Sequence, residues 1–535
     1  MDSSTSSSGF CSKTKTFQSL RPPLLLPLES SPLSAASYAF SLIPTDQTAT
    51  CLIDSATGSR ISFSHFRQSV FSLASSIQHT FRLSKKDVAF VLSPNSTHVP
   101  ILYFALLYLG VVISPANPLS TESEILRQIQ LAKPVIAFAT SRNFHKLPKL
   151  KHPTVLLDSL EFEWMMASRG WKLENVIVSQ SDLAAIMYSS GTTGEVKGVK
   201  LTQRNFIASI ANHYAQRKER NSPAVLLYTV PFFHVFGFHY VLKSVAITET
   251  VVVMDRFDLK KMLKAVEDFR VTQLLVAPPV VVAMAKASVT HGYDLSSLET
   301  VGSGGAPLGK DVMQAFADKF PNTILYQGYG LTETSGVAFR AATMEEMLHR
   351  GSVGRLMASS EAKIVDPDTG IALPPGELGE LWIKSPTIMQ GYIDDPKTNS
   401  ETLMPDGWLR TGDLCYIDHQ GYLFVVDRLK ELIKYKGYQV APAELEQLLQ
   451  SHPAIVDAAV IPYPDEEAGQ LPMAFVVRRP QSTLNKEQVI DFISKQVAPY
   501  KKIRRVAFVS SIPKSPSGKI LRKELRRIHL PGSKL

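Results

Sequence analysis

The most informative stretch of this chain reads YSSGTTGEVKG, from Tyr188 to Gly198. It follows an apolar run from Leu183 to Met187 that has the length of a buried strand. Its glycines and small hydroxyl residues let backbone N–H groups approach a polyphosphate closely, and Lys197 adds a mobile positive charge. A Walker A loop would need glycine at position 196 and serine or threonine at 198, whereas this chain has Val196 and Gly198. The stretch therefore predicts a phosphate-binding loop of another kind, joining two strands of a hairpin.

Apolar runs of strand length alternate with helical patterns over most of the first 400 residues. Examples are residues 88–92, 135–139, 224–230, 250–254 and 273–277. Continuous runs of this kind are typical of strands covered by helices on both faces, so we predict layered α/β subdomains. From about 352 to 427, short strands alternate with Pro- and Gly-rich turns, which indicates an antiparallel β subdomain.

The same patterns predict the domain boundaries. Residues 1–30 are rich in Ser, Thr and Pro, and we expect them to be flexible. A large N-terminal domain is expected at 31–427 and a hinge at 428–430. The remainder, 431–535, is expected to form a small mobile α+β domain that acts as a lid.

The composition excludes several other classes of protein. Hydrophobic residues make up 44% of the chain and charged residues 20%, as in a globular protein with a substantial core. The three cysteines are scattered, which argues against a disulfide framework or a zinc site. The most membrane-like run, 101–113, is too short to span a bilayer, so we expect no transmembrane segment.

The net charge is +9, and part of the excess lies near the C-terminus. A solvated basic face and a site for a polyphosphorylated ligand both remain open as its explanation. Because no aromatic residues are interleaved with these bases, no nucleic-acid partner is expected. The chain ends Ser533-Lys534-Leu535, a tripeptide of the kind read by the peroxisomal import receptor. We therefore expect that receptor as a partner and the peroxisome as the location.

Five motifs in this order resemble the acyl-adenylate-forming superfamily. Besides the loop they are GYGLTE from Gly328 to Glu333, Gly412-Asp413, DRLK from Asp427 to Lys430, and PSGK from Pro516 to Lys519. Within it, residues 430–444 resemble the branch of plant 4-coumarate–CoA ligases and luciferases. The similarity runs from about residue 30 to the end. It implies an ATP- and CoA-dependent ligase that forms acyl-AMP and diphosphate, then acyl-CoA and AMP.

The resemblance also assigns roles to residues. It makes Lys519 the lysine that bridges the attacking carboxylate and the α-phosphate, Lys434 the lysine of the second half-reaction, and His234 the gate of the acyl tunnel. It places Mg²⁺, which bridges phosphate oxygens, on Glu333. The residues implied to bind ATP or AMP are Ser189, Ser190, Gly191, Thr192, Thr193, Lys197, Gln327, Gly328, Tyr329, Thr332, Asp413, Arg428, Lys430, Gln439 and Lys519. Those implied to bind coenzyme A are Arg256, Lys436 and Gly437.

The acid is expected to bind in a pocket formed by Phe236, Tyr240, Gly302, Gly305, Gly336 and Val337. Compared with hydroxycinnamate ligases, this chain replaces a tyrosine by Phe236, a bulkier residue by Gly302 and a proline by Gly336. We expect the two glycines to enlarge the pocket, which favours a lipophilic acid such as a jasmonate precursor or a fatty acid. The alternatives are a hydroxycinnamate or cinnamate ligase, a luciferase-like oxidative enzyme, and a basic binding protein without catalysis.

Overall fold

The computed structural model describes residues 7–44, 47–190, 196–217, 219–286, 288–306, 308–436, 438–515 and 518–529. These residues form 27 strands and 15 α-helices. The strands are β1 Phe10–Cys11, β2 Thr16–Gln18, β3 Thr50–Asp54, β4 Arg60–Ser62, β5 Val88–Leu92, β6 Val112–Ala116, β7 Ile136–Ala139, β8 Val155–Leu156, β9 Leu183–Ser190, β10 Val196–Thr202, β11 Val225–Tyr228, β12 Thr250–Val253, β13 Gln273–Val276, β14 Thr300–Ser303, β15 Ile324–Leu331, β16 Gly336–Arg340, β17 Arg355–Leu356, β18 Glu361–Val365, β19 Gly379–Lys384, β20 Gly391–Tyr392, β21 Leu409–Ile417, β22 Leu423–Arg428, β23 Ile433–Tyr435, β24 Tyr438–Val440, β25 Ile455–Asp465, β26 Gly469–Arg478 and β27 Arg505–Phe508.

The helices are α1 Ala35–Ser41, α2 Phe63–Phe81, α3 His98–Tyr108, α4 Glu122–Ala132, α5 Leu160–Ala167, α6 Gln203–Ala215, α7 Val235–Ala246, α8 Leu259–Phe269, α9 Pro278–Lys286, α10 Lys310–Lys319, α11 Met344–Leu348, α12 Pro396–Thr402, α13 Pro442–Ser451, α14 Lys486–Ser494 and α15 Arg522–His529. Within the described ranges, no helix is both long and apolar enough to cross a membrane. The apolar run at 101–113 is divided between α3, whose residues from Val99 to Leu107 are buried, and β6.

Two large sheets form the α/β layers, and they confirm the predicted fold class. The seven-stranded sheet has the order β20-β10-β9-β6-β5-β7-β8, with parallel pairing from β9 to β8. The nine-stranded sheet has the order β17-β16-β15-β14-β13-β11-β12-β3-β4, with parallel pairing from β15 to β3. Strands β6, β7 and β12 are buried along their whole length, as expected for strands covered by helices on both faces.

The predicted antiparallel subdomain is a six-stranded sheet of order β1-β2-β18-β19-β21-β22. Its first two strands come from the segment that was expected to be flexible. They form a hairpin whose strand β2 pairs with β18, and Phe17 is buried in the core of this sheet. Part of residues 1–30 is therefore folded, because this phenylalanine gains burial there.

The C-terminal part builds a five-stranded sheet from β23 to β27 with an apolar core of its own. It follows a 3₁₀ turn, Leu429–Glu431. Helix α13 begins at Pro442, as the sequence predicts, and its second residue, Ala443, donates its backbone N–H to the Asp427 carboxylate at 2.8 Å. The predicted capping box of Asn485 and Gln488 starts α14.

Candidate active site

The phosphate loop connects β9 to β10, which pair antiparallel with Ser189 opposite Lys197. The predicted hairpin is therefore present. Gly191, Thr192 and Thr193 lie outside the described residues, as does the side chain of Ser190.

Lys197 is held at the base of this loop by residues from helix α12 and the turn before it. Its Nζ donates to Thr398 Oγ1 at 3.1 Å, lies 3.8 Å from the Asp395 carboxylate, and sits 5.1 Å from the centre of the Tyr392 ring. Hydrogen bonds from Thr398 hold the pKa of Asp395 below its usual value, so the carboxylate stays ionised. The ammonium is thus held in place by side chains of the protein itself.

Glu333 follows β15 in the 3₁₀ turn Thr332–Thr334 and lines the central cavity. Its Oε1 accepts a hydrogen bond from the Tyr392 hydroxyl at 2.9 Å. Burial and the charge of Glu333 raise the pKa of Tyr392, so its hydroxyl stays protonated and donates. Among the described residues, no group of three or more His, Cys, Asp or Glu is arranged to hold a metal. A single carboxylate still fits Mg²⁺, which takes most of its ligands from phosphates and water.

Tyr329 and Asp413 join two neighbouring sheets beside the nucleotide motifs. The Tyr329 hydroxyl donates to Asp413 Oδ2 at 2.6 Å, and Arg428 Nε lies 3.4 Å from Oδ1 of the same carboxylate. Burial and the adjacent Asp413 charge raise the pKa of Tyr329, which keeps this donor protonated. Nearby, Gln327 accepts the backbone N–H of Leu308 at 3.0 Å.

Lys519 reaches the cavity from the C-terminal part of the chain. Its loop rests on Ala277 just before α9, since a Cβ placed on Gly518 (φ 83°) would lie 2.9 Å from the Cβ of Ala277. Burial and the nearby charge of Arg428 lower the pKa of Lys519 to about 8. The pKa of Lys430 is lowered to about 8 by burial, Arg428 and Lys519. Two cationic side chains therefore meet where an anion would relieve their repulsion.

Lys286 connects the two parts of the chain at the end of α9. Its Nζ donates to two backbone carbonyls of the C-terminal part, Gln450 O at 2.8 Å and Ile455 O at 3.0 Å. These contacts hold the orientation in which Lys519 faces the cavity.

His234 and Phe236 lie at the start of α7 and line the central cavity, where the acyl pocket is predicted. Phe236 N–H donates to His234 Nδ1 at 3.3 Å, so the ring caps the helix. Burial lowers the pKa of His234 to about 4, which keeps the imidazole neutral. Phe236 packs edge-on against Tyr240 one turn later, with ring centres 5.0 Å apart.

The expectation that Gly302 and Gly336 enlarge the pocket is not what the structure shows. A Cβ at Gly302 would lie 2.8 Å from the Tyr326 hydroxyl and 2.7 Å from Leu275 Cδ2. A Cβ at Gly336 (φ 113°) would lie 3.0 Å from Cγ of His239. The space left by both glycines is filled by other side chains of the protein, so the glycines change which groups form the pocket wall.

One cavity of about 1010 Å³ unites most of the predicted residues. It is lined by Ser189, Lys197, His234, Phe236, Tyr240, Gly302, Gly305, Gly328, Tyr329, Thr332, Glu333, Gly336, Val337, Arg428, Lys430 and Lys519. Gln327 and Asp413 line an adjoining cavity of about 640 Å³ that shares Tyr329, Arg428 and Lys519 with the first.

Four other predicted residues are not brought to this site. Lys434, Lys436, Gln439 and Arg256 are exposed and lie outside both cavities. Lys436 forms an ion pair with Glu467, and Lys434 is on strand β23 of the C-terminal sheet. Gly437 lies outside the described residues.

Several lining residues were missed by the sequence analysis. Tyr392, Asp395 and Thr398 belong to the segment QGYIDDPKT, whose Asp-Pro helix start was a visible signal. Tyr326 and Arg340 also line the cavity. They lie on strands β15 and β16, at the edges of recognised motifs, and nothing in the local pattern marks them.

Comparisons with known proteins agree with this geometry. A family model described as AMP-binding enzyme matches residues 44–393, and one for the AMP-binding enzyme C-terminal domain matches residues 444–519. The chain is 50% identical to 4-coumarate–CoA ligase-like 9 of Arabidopsis thaliana, over 98% of this chain and 97% of that protein. It is 44% identical to peroxisomal OPC-8:0-CoA ligase 1 of the same plant, over the full length of both. The ATP-bound crystal structure of MatB from Rhodopseudomonas palustris superimposes with a TM-score of 0.82 at 25% identity, covering 93% of this chain and 99% of MatB.

Proposed function

This chain belongs to the family of AMP-binding enzymes, and we propose that it joins a carboxylic acid to coenzyme A in two steps, through an acyl-adenylate. One observation carries the proposal. Lys519, from the C-terminal part, lines the same cavity as Glu333, Arg428 and His234 of the larger part. Relatives along the whole chain are named as CoA ligases, which supports coenzyme A as the acyl acceptor.

In the first step, the carboxylate attacks the α-phosphate of ATP and diphosphate leaves. Lys519 would bind the carboxylate and the α-phosphate together, because its ammonium is held in the cavity beside Arg428. Lys197 would bind the leaving phosphates, since it is already fixed by Thr398 and Asp395. Positioned charge of this kind is the main source of catalysis in phosphate chemistry.

ATP would be held as its Mg²⁺ complex, with Glu333 as the protein ligand. The bound ion would neutralise charge on the phosphates. Tyr392 orients the Glu333 carboxylate from the protein side. Asp413, held by Tyr329, would accept hydrogen bonds from the ribose hydroxyls.

In the second step, the thiol of coenzyme A attacks the carbonyl of the acyl-adenylate and AMP leaves. We assign Lys434 to this step, although it is exposed and lies outside both cavities. We infer that residues 428–430 act as a hinge about which the part from 431 onward rotates. This rotation would withdraw Lys519 and bring Lys434 to the cavity, with Arg256, Lys436 and Gly437 contacting coenzyme A and Gln439 on the nucleotide side.

The acid would enter between His234, Phe236 and Val337. Neutral His234 is suited to contact an acyl group without adding charge. Phe236 and Val337 offer an apolar surface, which favours a lipophilic acid such as a jasmonate precursor or a fatty acid. A hydroxycinnamate is the second candidate, supported by relatives named 4-coumarate–CoA ligase-like.

The proposal is tested by incubating purified protein with ATP, Mg²⁺, coenzyme A and a panel of fatty, cyclopentanone and cinnamic acids. We expect AMP and an acyl-CoA to form in equal amounts with at least one class. AMP formation that needs oxygen and emits light, without any thioester, would favour the luciferase-like alternative. ATP binding without turnover of any acid would favour the non-catalytic binding protein.

We also propose that the protein acts in the peroxisome, because a full-length relative is named as peroxisomal. Residues 533–535 lie outside the described residues. A fluorescent protein fused in front of the chain should enter peroxisomes, and deletion of these three residues should leave it outside if the import receptor reads them.

A further inference from the structure

A group of polar side chains extends from the cavity wall into the interior, and the proposed reaction does not use it. Arg340 ends β16 and donates through Nη1 to His213 Nδ1. His213 Nε2 lies 3.0 Å from His239 Nε2, and His239 Nδ1 lies 2.7 Å from Ser209 Oγ. His213 and His239 are fully buried.

This chain of hydrogen bonds has one direction. Burial and the neighbouring cations lower the pKa of both histidines, to about 3 for His239, so both rings are neutral. Since Arg340 can only donate, His213 must carry its proton on Nε2 and donate to His239. His239 then donates from Nδ1 to Ser209. The two rings therefore orient the guanidinium but offer it only one acceptor.

Apart from Nη1, the guanidinium of Arg340 has no hydrogen-bond partner within the described part of the chain. Its buried Nε has no acceptor, and no carboxylate forms an ion pair with it. The nearby carboxylate of Glu249 is already bound by Lys243 at 2.6 Å. Buried donors of a charged group are rarely left in this state without a function, because their desolvation is costly.

Other hydrogen-bond donors without partners line the same cavity as Arg340; we call the part of the lining formed by Arg340, Tyr326 and Tyr240 the Arg340 wall. The hydroxyls of Tyr326 and Tyr240 line it without a hydrogen-bond partner among the described residues, and burial raises the pKa of both, so they remain protonated. Ser303 also lines the cavity, and its buried Oγ has no hydrogen-bond partner among the described residues. The Tyr326 hydroxyl lies beside Gly302, where a larger residue would displace it.

The Arg340 wall is distinct from the end of the cavity where Lys519 would bind the carboxylate of the acid. Lys519 comes from the C-terminal part, and the neighbouring Gly518 packs against Ala277 just before α9. Arg340 instead contacts His213 of helix α6, in the interior of the larger part. An acid held by Lys519 would therefore reach Arg340 with a different part of its structure.

We propose that Arg340, together with Tyr326 and Tyr240, binds a hydrogen-bond-accepting oxygen that the acid carries away from its carboxylate. The proposal rests on the proposed acyl-CoA ligase function and narrows its substrate. The acid is then an oxygenated lipophilic acid, with a ketone, a hydroxyl or a second carboxylate, rather than an unsubstituted fatty acid. A site built to hydrogen-bond such an oxygen discriminates strongly against the analogue that lacks it.

The test compares straight-chain acids with the same acids bearing a ketone, a hydroxyl or a carboxylate at the far end. CoA-dependent AMP release gives kcat/KM for each acid. We expect at least one oxygenated series to exceed its unsubstituted counterpart by about tenfold or more. The preferred series distinguishes a neutral oxygen from a carboxylate.

Two variants then test whether Arg340 and Tyr326 cause the preference for oxygenated acids. Arg340→Met and Tyr326→Phe should each reduce the ratio of oxygenated to unsubstituted kcat/KM, by about 10- to 100-fold for Arg340→Met. Tyr326→Phe removes only a hydroxyl and serves if Arg340→Met does not fold. Arg217→Met is the matched control, because Arg217 is exposed and stacks on Tyr214. It should keep the wild-type ratio.

Other outcomes overturn the inference. The inference is wrong if the wild-type protein has an equal or higher kcat/KM for unsubstituted acids than for oxygenated ones. It is also wrong if both variants lose kcat/KM by the same factor on all acids. If no acid of any class yields AMP with coenzyme A, the proposed function itself fails. Turnover of unsubstituted acids without any preference leaves the function standing and rejects only the role of Arg340.

Discussion

The hydroxyl of Tyr329 lies 2.6 Å from a carboxylate oxygen of Asp413, and this bond joins strand β15 of the nine-stranded sheet to strand β21 of the antiparallel sheet. The two residues come from different motifs, 84 positions apart in the chain. Asp413 is buried, and its second oxygen faces Arg428. A carboxylate held from two sides can accept the ribose hydroxyls of ATP without first being reoriented.

Tyr329→Phe should raise the KM for ATP by about tenfold, because it removes one hydrogen bond to a charged group and keeps the ring. Steady-state kinetics of diphosphate release at varied ATP measures this. Tyr422→Phe is the matched control, since Tyr422 stacks on His349 outside both cavities. An unchanged KM for ATP in Tyr329→Phe would show that this bond does not position the nucleotide.

Deprotonation of Lys519 should determine the alkaline limb of the pH profile, that is, the fall in the rate of adenylate formation at high pH. The pKa of Lys519 is lowered to about 8, so the charged form proposed to bind carboxylate and phosphate is lost as pH rises through this value. We expect kcat/KM for ATP, which reports on the free enzyme, to fall above about pH 8. Lys519→Arg should move the limb to higher pH, because a guanidinium stays protonated.

Lys430 provides the control for this pH profile, since its pKa is also lowered to about 8. Lys430→Arg should leave the limb near its wild-type position if Lys519 is the essential cation. A limb that moves in Lys430→Arg and stays in Lys519→Arg would transfer the role to Lys430.

The two half-reactions should separate in two alanine variants. Lys519→Ala should reduce adenylate formation by at least about 100-fold while synthetic acyl-AMP is still converted to the thioester. Lys434→Ala should form adenylate at the wild-type rate and lose the thioester step, because Lys434 lies outside both cavities in this conformation. Trapping of the adenylate with hydroxylamine and chromatography of acyl-CoA measure the two steps. Equal loss of both steps in each variant would contradict a rotation between two conformations.

Lys286→Met should slow the first half-reaction by up to about tenfold and spare the second. The variant removes two charged hydrogen bonds to Gln450 and Ile455 that hold Lys519 in the cavity. Lys319→Met is the control, because Lys319 donates to the carbonyl of Met284 on the same helix α9. A drop in both half-reactions to the same extent, or in neither, would show that Lys286 does not select between conformations.

Much of this architecture was predictable because its signals are local. Most parallel strands of the large sheets are continuous apolar runs. Helices α13 and α14 begin at the predicted proline and capping box. The phosphate hairpin was predicted from Leu183–Met187 and the small residues that follow. In each case, a few neighbouring residues determine the backbone.

The parts that escaped prediction depend on residues distant in the chain. The partners of Lys197 lie about 200 positions later, in α12 and just before it. The hairpin of β1 and β2 is held by pairing with β18, more than 340 residues away. Because the local composition contains no trace of this partner, it predicts a flexible segment. The side chains beside Gly302 and Gly336 could not be predicted either, because a glycine in the sequence does not reveal which side chain occupies the space it leaves.

The packing of His239 against Gly336 also limits how this enzyme can be redesigned. Grafting a larger residue from a relative onto position 336 would push on His239, and through it on His213 and Arg340, before it altered the volume open to the acid. Changes of substrate range by single pocket substitutions should therefore be poorly transferable to this chain. A library of variants should therefore vary positions 239, 336 and 340 simultaneously, because the residues at these positions are in contact directly or through His213.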